Sequence, residues 1–302
     1  MKTLTNEERI ELLSKDNWID YPIAQDILNK LDHLLLHEKD KSRITSVLLV
    51  GSSNNGKTSL LERFMELHPP YDYNIEGGRP DWVKDDFFDD HSGIGMPVLY
   101  ILAPTEPNES RLYSNILNQI NAPFKERDTI ARKQYLVEYY LNIFNIEMLI
   151  IDEVHNILSG SVVKQKQIMN AIKNLSNILK IPIVLSGIKD ALRAIQTDDQ
   201  IHNRFRPLPL PKWQMNQDYV SLLATIVETL PLRKESDILN PKTAGLILSM
   251  SEGYIGEIIN IIREAAKYAI TSESERVTIK EIQECNYISL SNAEKRIDLL
   301  NI

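Results

Sequence analysis

The first residues whose types and spacing could do chemistry form the segment Gly51–Thr58, which reads Gly-Ser-Ser-Asn-Asn-Gly-Lys-Thr. This spacing fits the G-x-x-x-x-G-K-[S/T] pattern of loops that hold nucleotide phosphates. Glycines let backbone N–H groups surround phosphate oxygens, and a helix that follows adds partial positive charge at its N-terminus. Lys57 would reach the β- and γ-phosphates, and the Thr58 hydroxyl would be a ligand of Mg²⁺. The residues that we expect to contact nucleotide are Gly51, Ser52, Ser53, Asn54, Asn55, Gly56, Lys57, Thr58 and Ser59.

A second group of candidate residues follows an apolar run about 95 residues further along the chain. The run 148–151 ends in Asp152 and Glu153. An apolar strand that delivers Asp152 at its carboxyl end would place a carboxylate beside Mg²⁺. Glu153 would then orient or deprotonate the attacking water. A strand that ends in acids is ordinary by itself, but in combination with the phosphate loop it predicts nucleotide binding and, through Glu153, hydrolysis.

Three further polar residues bear on hydrolysis. Ser186 follows another apolar run and would either hydrogen-bond the water or the γ-phosphate, or simply end a strand. Arg204 and Arg206 lie just before a proline-rich stretch. An arginine that reaches the γ-phosphate of a neighbouring subunit can raise the rate about 10³- to 10⁵-fold, or about 4–7 kcal/mol. Spacing alone favours surface ion pairs for these arginines over that role.

Alternating apolar and helical segments must position these residues. Apolar runs typical of buried strands lie at 46–50, 97–102, 148–151 and 182–185. Helical patterns that separate the later runs lie at about 108–120, 129–145 and 162–180. The alternation predicts an α/β fold with a parallel sheet flanked by helices. The stretch Pro207–Pro211 indicates a boundary, after which the patterns are helical. We therefore expect an N-terminal helical linker at 1–43, an α/β nucleotide-binding domain at 44–213, a small helical domain at 214–285 and a tail at 286–302.

The composition is that of a globular protein. Of 302 residues, 43% are apolar and 25% are charged, which allows a large buried core. The formal net charge of −8 excludes a chain that is basic throughout, so a nucleic-acid contact would need a local basic surface. A single cysteine, Cys285, excludes an intrachain disulfide and a cysteine-only zinc site. The N-terminus is charged rather than like a signal peptide and no long apolar run follows, which together predict a cytoplasmic protein without a membrane segment.

Several motifs, taken in order, resemble the TniB/TnsC family of AAA+ transposition regulators, most closely its TniB branch. Besides the phosphate loop they are Ala-Pro-Thr-Glu-Pro at 103–107, Arg-Leu-Tyr at 111–113, Ile-Asp-Glu-Val-His-Asn-Ile-Leu-Ser-Gly at 151–160, Ile-Pro-Ile-Val-Leu-Ser-Gly at 181–187, Asn-Arg-Phe-Arg at 203–206, Leu-Pro-Leu-Arg at 230–233 and Gly-Tyr-Ile-Gly-Glu-Ile at 253–258. Their order and spacing are specific, although no single piece beyond the phosphate loop is decisive. The resemblance implies an AAA+ core with a helical lid at 214–285, which uses ATP and Mg²⁺. It also implies a homo-oligomer, as a ring or helical filament on double-stranded DNA, that recruits and activates a transposase with target-selector proteins and disassembles on ATP hydrolysis.

The resemblance also implies residue roles. Ser186 falls at the sensor-1 position, Arg204 or Arg206 falls in the arginine-finger segment, and Tyr21 with Pro22 lies where family members approach the adenine. One departure from the wider AAA+ pattern is the missing sensor-2 arginine near the start of a lid helix, where this chain has Gly256-Glu257. This absence predicts slow ATP hydrolysis, which fits a protein that times a step better than a motor protein that cycles rapidly.

Two segments could supply the basic surface that an acidic protein needs to hold DNA. The resemblance favours the first, which contains Arg111, Lys125, Thr129, Arg132 and Lys133, with Arg111 and Thr129 as the strongest candidates. The second, 154–189, contains lysines but no acid, which is also typical of a solvated helix face. The acidic run 81–90 would not face DNA. We expect contacts to the phosphates with little sequence readout.

Two alternative functions remain open from the sequence. One is a nucleotide-switched scaffold with negligible hydrolysis. The other is a P-loop kinase or nuclease-linked NTPase that acts on a small molecule, which would be active as a monomer without DNA and would leave Arg204 and Arg206 without a nucleotide role.

Overall fold

The structure, a computed structural model, describes residues 4–15, 18–74, 92–157, 161–196, 199–285 and 287–288. It divides into two compact units. Unit 1 contains the described residues of Met1–Asp26, Ser53–Gly56 and Pro211–Ile302, and unit 2 contains those of Ile27–Ser52 and Lys57–Leu210. The acidic run 81–90 and, apart from Tyr287 and Ile288, the tail 286–302 lie outside the described residues.

A parallel five-stranded sheet forms the centre of unit 2. The described strands are β1 Ser46–Val50, β2 Tyr71–Asn74, β3 Ser92–Gly95, β4 Val98–Leu102, β5 Met148–Asp152, β6 Ile183–Gly187 and β7 Phe205–Pro209. The order in the sheet is β4-β5-β6-β1-β7, and each neighbouring pair is parallel. Every residue of β5 and β6 is buried, as expected for central strands of a parallel sheet covered on both faces. The predicted α/β fold with a parallel sheet is confirmed.

The proline-rich stretch contains, besides the predicted boundary, most of the edge strand β7, which the sequence analysis does not predict. Proline has no N–H to donate, which restricts it to sheet edges. Pro207 lies opposite Leu48 and Pro209 opposite Val50 in the parallel pairing with β1. The change of unit follows at once, between Leu210 and Pro211. A pattern of prolines that resembles a linker therefore contains the last strand of the sheet.

Helices occupy most of the remaining described chain. They are α1 Asn6–Ser14, α2 Pro22–His37, α3 Lys57–Leu67, α4 Glu109–Gln119, α5 Ile130–Ile143, α6 Val162–Leu179, α7 Lys189–Gln196, α8 Asp199–His202, α9 Gln217–Thr229, α10 Pro241–Ser251, α11 Ile255–Thr271 and α12 Ile279–Glu284. Side-chain caps fix the start of α4 and α5, where Asn108 and Thr129 accept the N–H groups of Arg111 and Arg132. No helix of the described residues is at once long enough and apolar enough to cross a membrane.

The N-terminal helix α1 belongs to unit 1, where it packs against α11. The contact is fixed by Arg9, whose guanidinium pairs with both carboxylate oxygens of Glu275, while its Nε donates to the carbonyl of Pro231 at 2.8 Å. Both side chains of the pair are nearly fully buried. Within the N-terminal helical linker predicted at 1–43, this long-range ion pair joins α1 to the C-terminal part of unit 1.

Candidate nucleotide site

The phosphate loop connects β1 to α3, and Lys57 and Thr58 are the first residues of that helix. Two residues of the loop, Asn54 and Gly56, have a positive φ of 57° and 79°. Gly56 adopts this left-handed conformation without strain because it has no Cβ. The helix N-terminus that follows the turn is the arrangement that attracts phosphate groups.

Lys57 lies inside unit 2 with its ammonium group close to the loop. Its side chain is largely buried, and Nζ donates to the carbonyl oxygen of Ser52 at 3.0 Å. Burial lowers the pKa of Lys57, and the nearby carboxylates of Glu153 and Asp152 oppose this shift. A phosphate would supply the negative charge that this buried cation favours.

The buried carboxylate of Asp152 at the end of β5 joins the loop to the sheet. Asp152 Oδ2 accepts a hydrogen bond from Thr58 Oγ1 at 2.9 Å and another from the Tyr100 hydroxyl at 3.0 Å. Burial and the Asp152 charge raise the pKa of Tyr100, so its hydroxyl remains a donor. Hydroxyl and carboxylate oxygens are the ligands that Mg²⁺ prefers, so the donor set of Thr58 and Asp152 fits this ion.

Glu153, the predicted base, has a strained backbone. Its φ of 55° and ψ of 35° lie in the left-handed region, which is unfavourable for a residue with a side chain. Its N–H donates to Asp152 Oδ1 at 2.8 Å, and its carboxylate Oε2 lies 3.1 Å from His155 Nδ1. The sequence analysis finds Glu153 but finds no role for His155 or Tyr100. A tyrosine on the strand next to β5 is the signal that could have found Tyr100.

Ser186, the predicted sensor, lies in β6 opposite Leu49 of β1. Its side chain is fully buried, and its Oγ has no hydrogen-bond partner in the described part of the chain. An unpaired buried hydroxyl is unfavourable, so this oxygen is available for a group that enters the site.

The two candidate finger arginines have different environments. Arg204 donates from Nη1 to Asn177 Oδ1 and from Nη2 to Ser176 Oγ, both at 2.7 Å, so it is bound within its own chain. Burial and the positive charge of Arg43 lower the pKa of Arg204. Arg206 is exposed and lines a cavity of about 400 Å³ that Arg43 and His202 also line.

In unit 1, the residues expected near adenine form an aromatic cluster. The Tyr21 ring is stacked against Trp18 at 6.2 Å and meets Trp213 edge-on at 5.2 Å between ring centroids. Burial raises the pKa of Tyr21 to about 12. Pro22 is the first residue of α2.

The loop residues Ser53–Gly56 also belong to unit 1. Asn55 is buried and donates from Nδ2 to the carbonyl of Pro211 at 3.0 Å. The backbone carbonyl of Asn54 accepts the N–H of Gly256 at 3.2 Å. Ser53 is exposed, as are Thr58 and Ser59 at the start of α3 in unit 2.

Four of the five predicted DNA-contacting residues are exposed on unit 2, namely Arg111, Lys125, Thr129 and Arg132. Thr129 caps α5, and the guanidinium carbon of Arg132 lies 5.4 Å from the centroid of the Tyr135 ring. Lys133 does not fit the prediction, because its side chain is buried. Its Nζ donates to Ser110 Oγ at 3.1 Å and to Ser114 Oγ at 2.9 Å, which ties α5 to α4.

The two basic segments weighed in the sequence analysis border the same groove of unit 2. A cavity of about 500 Å³ is lined by Asn108 at the start of α4, by Ile130 at the start of α5 and by Lys164 of α6. Lys164 comes from the segment without acids, and Ile130 follows Thr129 of the first segment. Ile130 of the first segment and Lys164 of the second therefore line one cavity, which Glu109 also lines.

Comparisons with known proteins identify a family and a fold. The family model described as "Bacterial TniB protein" matches residues 9–215. Among solved structures, the chain is similar to the Aeropyrum pernix ORC1 protein in complex with DNA, with 15% identity and a TM-score of 0.59 over 96% of this chain and 70% of that one. It is also similar to Cdc6p from Pyrobaculum aerophilum, with 16% identity and a TM-score of 0.60 over 91% and 69%. These likenesses show the α/β P-loop NTPase fold. A comparison with curated proteins gave no match.

Proposed function

The chain belongs to the TniB family, and we propose that it is an ATP-dependent, DNA-binding AAA+ regulator of DNA transposition. On this proposal, ATP-bound copies assemble on double-stranded DNA in the cytoplasm, recruit and activate a transposase with its target-selector proteins, and separate when ATP is hydrolysed. The observation that carries the proposal is the 2.9 Å hydrogen bond between Thr58 and Asp152. It joins the end of a phosphate loop to the carboxyl end of β5, which is the arrangement that ATP hydrolysis requires.

Each residue at this edge of the sheet has a role in the proposed hydrolysis. Lys57 holds the β- and γ-phosphates, and Thr58 and Asp152 hold Mg²⁺, which neutralises phosphate charge when bound. Glu153 accepts a proton from the attacking water. The unpaired hydroxyl of Ser186 donates to the water or to the γ-phosphate.

We assign the trans-acting arginine to Arg206 rather than Arg204. Arg204 is hydrogen-bonded within its own chain, whereas Arg206 is exposed. Arg206 lies opposite Val47, four residues before Gly51, and at about 3.3 Å per residue this is about 13 Å along the sheet from the loop. The distance supports contact with the nucleotide of a second copy, and Arg43 in the same cavity adds positive charge there.

The proposed DNA contacts are made by Arg111, Lys125, Thr129 and Arg132. Their exposure supports contacts to the phosphate backbone without base readout. Lys133 is left out of this set, because its ammonium group is buried between α4 and α5. Its role is to fix the two helices that carry the exposed cations.

One observation favours a second function, a nucleotide-switched scaffold with negligible hydrolysis. Glu153 has a left-handed backbone and its carboxylate lies against His155. To activate water, this carboxylate must leave His155, and the missing sensor-2 arginine adds to the expectation of a slow rate.

The decisive experiment compares wild-type protein with Lys57→Ala and Glu153→Gln. Assembly on duplex DNA is followed by negative-stain imaging with ATP, and phosphate release is measured in the same samples. Lys57→Ala should abolish ATP-dependent assembly, and Glu153→Gln should abolish phosphate release and leave assemblies that persist.

The other functions give different results in this experiment. Wild-type assemblies that form with ATP but never separate, with no phosphate released, would support the scaffold. Phosphate release by single particles that do not bind DNA would support an NTPase acting on a small molecule and would refute the proposal.

A further inference from the structure

The first turn of α11 holds the tip of the phosphate loop within unit 1. The N–H of Gly256 donates to the backbone carbonyl of Asn54 at 3.2 Å, and the Asn54 side chain donates from Nδ2 to Glu257 Oε1 at 3.1 Å. Both the backbone and the side chain of Asn54 are therefore fixed by two consecutive residues of α11. We call Asn54, Gly256, Glu257 and Tyr287 the loop clamp.

Glu257 is a buried carboxylate that is held by two donors. Its Oε1 accepts from Asn54, and its Oε2 accepts from the Tyr287 hydroxyl at 2.8 Å. Burial and the hydrogen bond to Glu257 raise the pKa of Tyr287 to about 12, so the hydroxyl keeps its proton at neutral pH. A buried charge is unfavourable unless it is hydrogen-bonded, so the loss of either donor disturbs the other contact.

Gly256 makes the close approach possible. A Cβ at this position would lie 1.9 Å from Asn54 Oδ1 and 2.6 Å from Asn54 Cγ. Glycine is otherwise a poor residue inside a helix. The contact with Asn54 is a physical reason for a glycine in the first turn of α11.

We propose that Glu257 is a positioning residue for nucleotide, which acts through Asn54 to hold the phosphate loop in its anion-binding conformation. Asn54 has a φ of 57°, a conformation that a residue with a side chain rarely adopts unless its surroundings fix it. A loop that is only partly in the competent conformation binds with an affinity reduced by that fraction. Nucleotide in turn stabilises the clamp, because coupling between two sites is reciprocal.

Through the loop clamp, α11 contacts the phosphate loop although no arginine lies at the start of this helix. The wider AAA+ pattern places an arginine there to touch the γ-phosphate, and this chain has Glu257 after Gly256. The inference rests on the proposed nucleotide site, and it adds the regulation of that site by α11.

Gly256→Ala is the most informative change, because it separates binding from stability. The new methyl group displaces the Asn54 side chain, while alanine favours the helix more than glycine does. We expect the affinity for a fluorescent non-hydrolysable ATP analogue to fall about tenfold, the usual effect of losing a hydrogen bond to a charged group. The thermal midpoint of the nucleotide-free protein should change little, because the gain in helix propensity offsets part of the lost hydrogen bond between Asn54 and Glu257.

A double-mutant cycle tests whether Glu257 acts through Asn54. Asn54→Ala and Glu257→Ala should each lower the analogue affinity about tenfold, and the double variant should lose no more than either single variant. Independent roles would instead give about a hundredfold loss, which would overturn the inference. If Glu257→Ala does not fold, Tyr287→Phe replaces it in the cycle, with an expected loss of about threefold in affinity.

A second tyrosine–glutamate pair of unit 1 provides the matched control. The Tyr268 hydroxyl donates to Glu284 Oε2 at 2.9 Å, and neither residue contacts the loop clamp in the contacts described. Tyr268→Phe should leave the analogue affinity unchanged, whereas Tyr287→Phe should lower it.

Lys57→Ala separates the failure of this inference from that of the proposed function. If Lys57→Ala loses binding while Gly256→Ala and Tyr287→Phe bind as wild type, the clamp has no positioning role and the nucleotide site stands. If Lys57→Ala also binds as wild type, the proposed nucleotide site is wrong and the clamp inference fails with it.

Discussion

Arg206 should act on the nucleotide of a neighbouring copy, and a mixing experiment can test this directly. Arg206→Ala removes an exposed guanidinium about 13 Å along the sheet from its own phosphate loop, at about 3.3 Å per residue. Glu153→Gln removes the proposed base but keeps Lys57, so its copies should still bind ATP and assemble. Each variant alone should assemble but release no phosphate, because every interface between copies lacks either the base or the arginine.

The expected loss for Arg206→Ala alone is large. An arginine that stabilises the transition state from a neighbouring subunit contributes about 10³- to 10⁵-fold in rate, which is about 4–7 kcal/mol. Arg204→Ala should have a smaller effect on the rate, because the Arg204 guanidinium is bound to Ser176 and Asn177 of its own chain. Its main effect should be a loss of stability of unit 2.

Mixing the two inactive variants restores complete sites at some of the interfaces between copies. A head-to-tail contact between copies pairs the loop of one subunit with the arginine of the next. In a random equal mixture, the intact base of an Arg206→Ala copy meets the intact arginine of a Glu153→Gln copy at about a quarter of the interfaces. Phosphate release on duplex DNA should therefore recover to about a quarter of the wild-type rate per subunit.

Two results would refute this reasoning. A mixture that remains at the level of the single variants would show that Arg206 does not act between copies. Wild-type activity in Arg206→Ala alone would show that Arg206 has no part in hydrolysis. The control mixture is Arg206→Ala with Lys57→Ala, which should recover less activity because Lys57→Ala copies do not assemble with ATP.

Three further predictions follow from other contacts. In salt titrations of DNA binding, Arg111→Ala should flatten the slope of log affinity against log salt by about 0.9, while Lys133→Met should leave the slope unchanged because its ammonium is buried. Ser186→Ala should lower the catalytic rate more than the affinity for ATP, and equal losses in both would contradict its role toward the water. Arg9→Ala removes both hydrogen bonds to the Glu275 carboxylate, leaves it only the 3.7 Å contact with Arg233, and should lower the free energy of unfolding by about 3 kcal/mol in urea titrations. The hydrogen bond from Arg9 lowers the pKa of Glu275, so the stabilisation by this pair is present above about pH 5 and is lost as the pH falls through the lowered pKa. The free energy of unfolding of the wild-type protein should therefore fall more steeply with acidification than that of Arg9→Ala.

The strands that position the nucleotide site could be predicted from the sequence, because buried parallel strands leave a continuous apolar run. The runs at 46–50, 148–151 and 182–185 correspond to β1, β5 and β6. The edge strand β7 could not be predicted in this way, because an edge strand tolerates Pro207 and Pro209 and therefore resembles a boundary.

The placement of α1 could not be predicted either, since its amphipathic pattern says nothing about what it packs against. The position of α1 is fixed by the pairing of Arg9 with Glu275, which is 266 residues away in the sequence. A single sequence does not identify such a pair among many arginines and glutamates.

The burial of Lys133 could have been predicted from the sequence, but the sequence analysis includes Lys133 among the DNA-contacting residues only because it is basic. The buried face of α5 contains Lys133, Leu136, Val137 and Tyr140, which are spaced as one side of a helix. The helical period therefore places Lys133 among the apolar residues and Arg132 on the exposed side. Serines on a neighbouring helix, here Ser110 and Ser114, are the partners that such a lysine needs.

On the proposed function, the residues around the phosphate loop favour a long-lived ATP-bound assembly on DNA. On the same proposal, the Glu153 carboxylate must leave His155 before it can activate water, and an Arg206 supplied by another copy would make hydrolysis depend on assembly. The start of α11 contributes Glu257, which holds the loop, where other AAA+ proteins have an arginine that acts on the phosphate. Tight holding of nucleotide combined with late hydrolysis gives the ATP-bound assembly a lifetime set by the chemical step. A regulator that must wait for a transposase needs such a lifetime, whereas a motor that cycles rapidly would need the opposite arrangement.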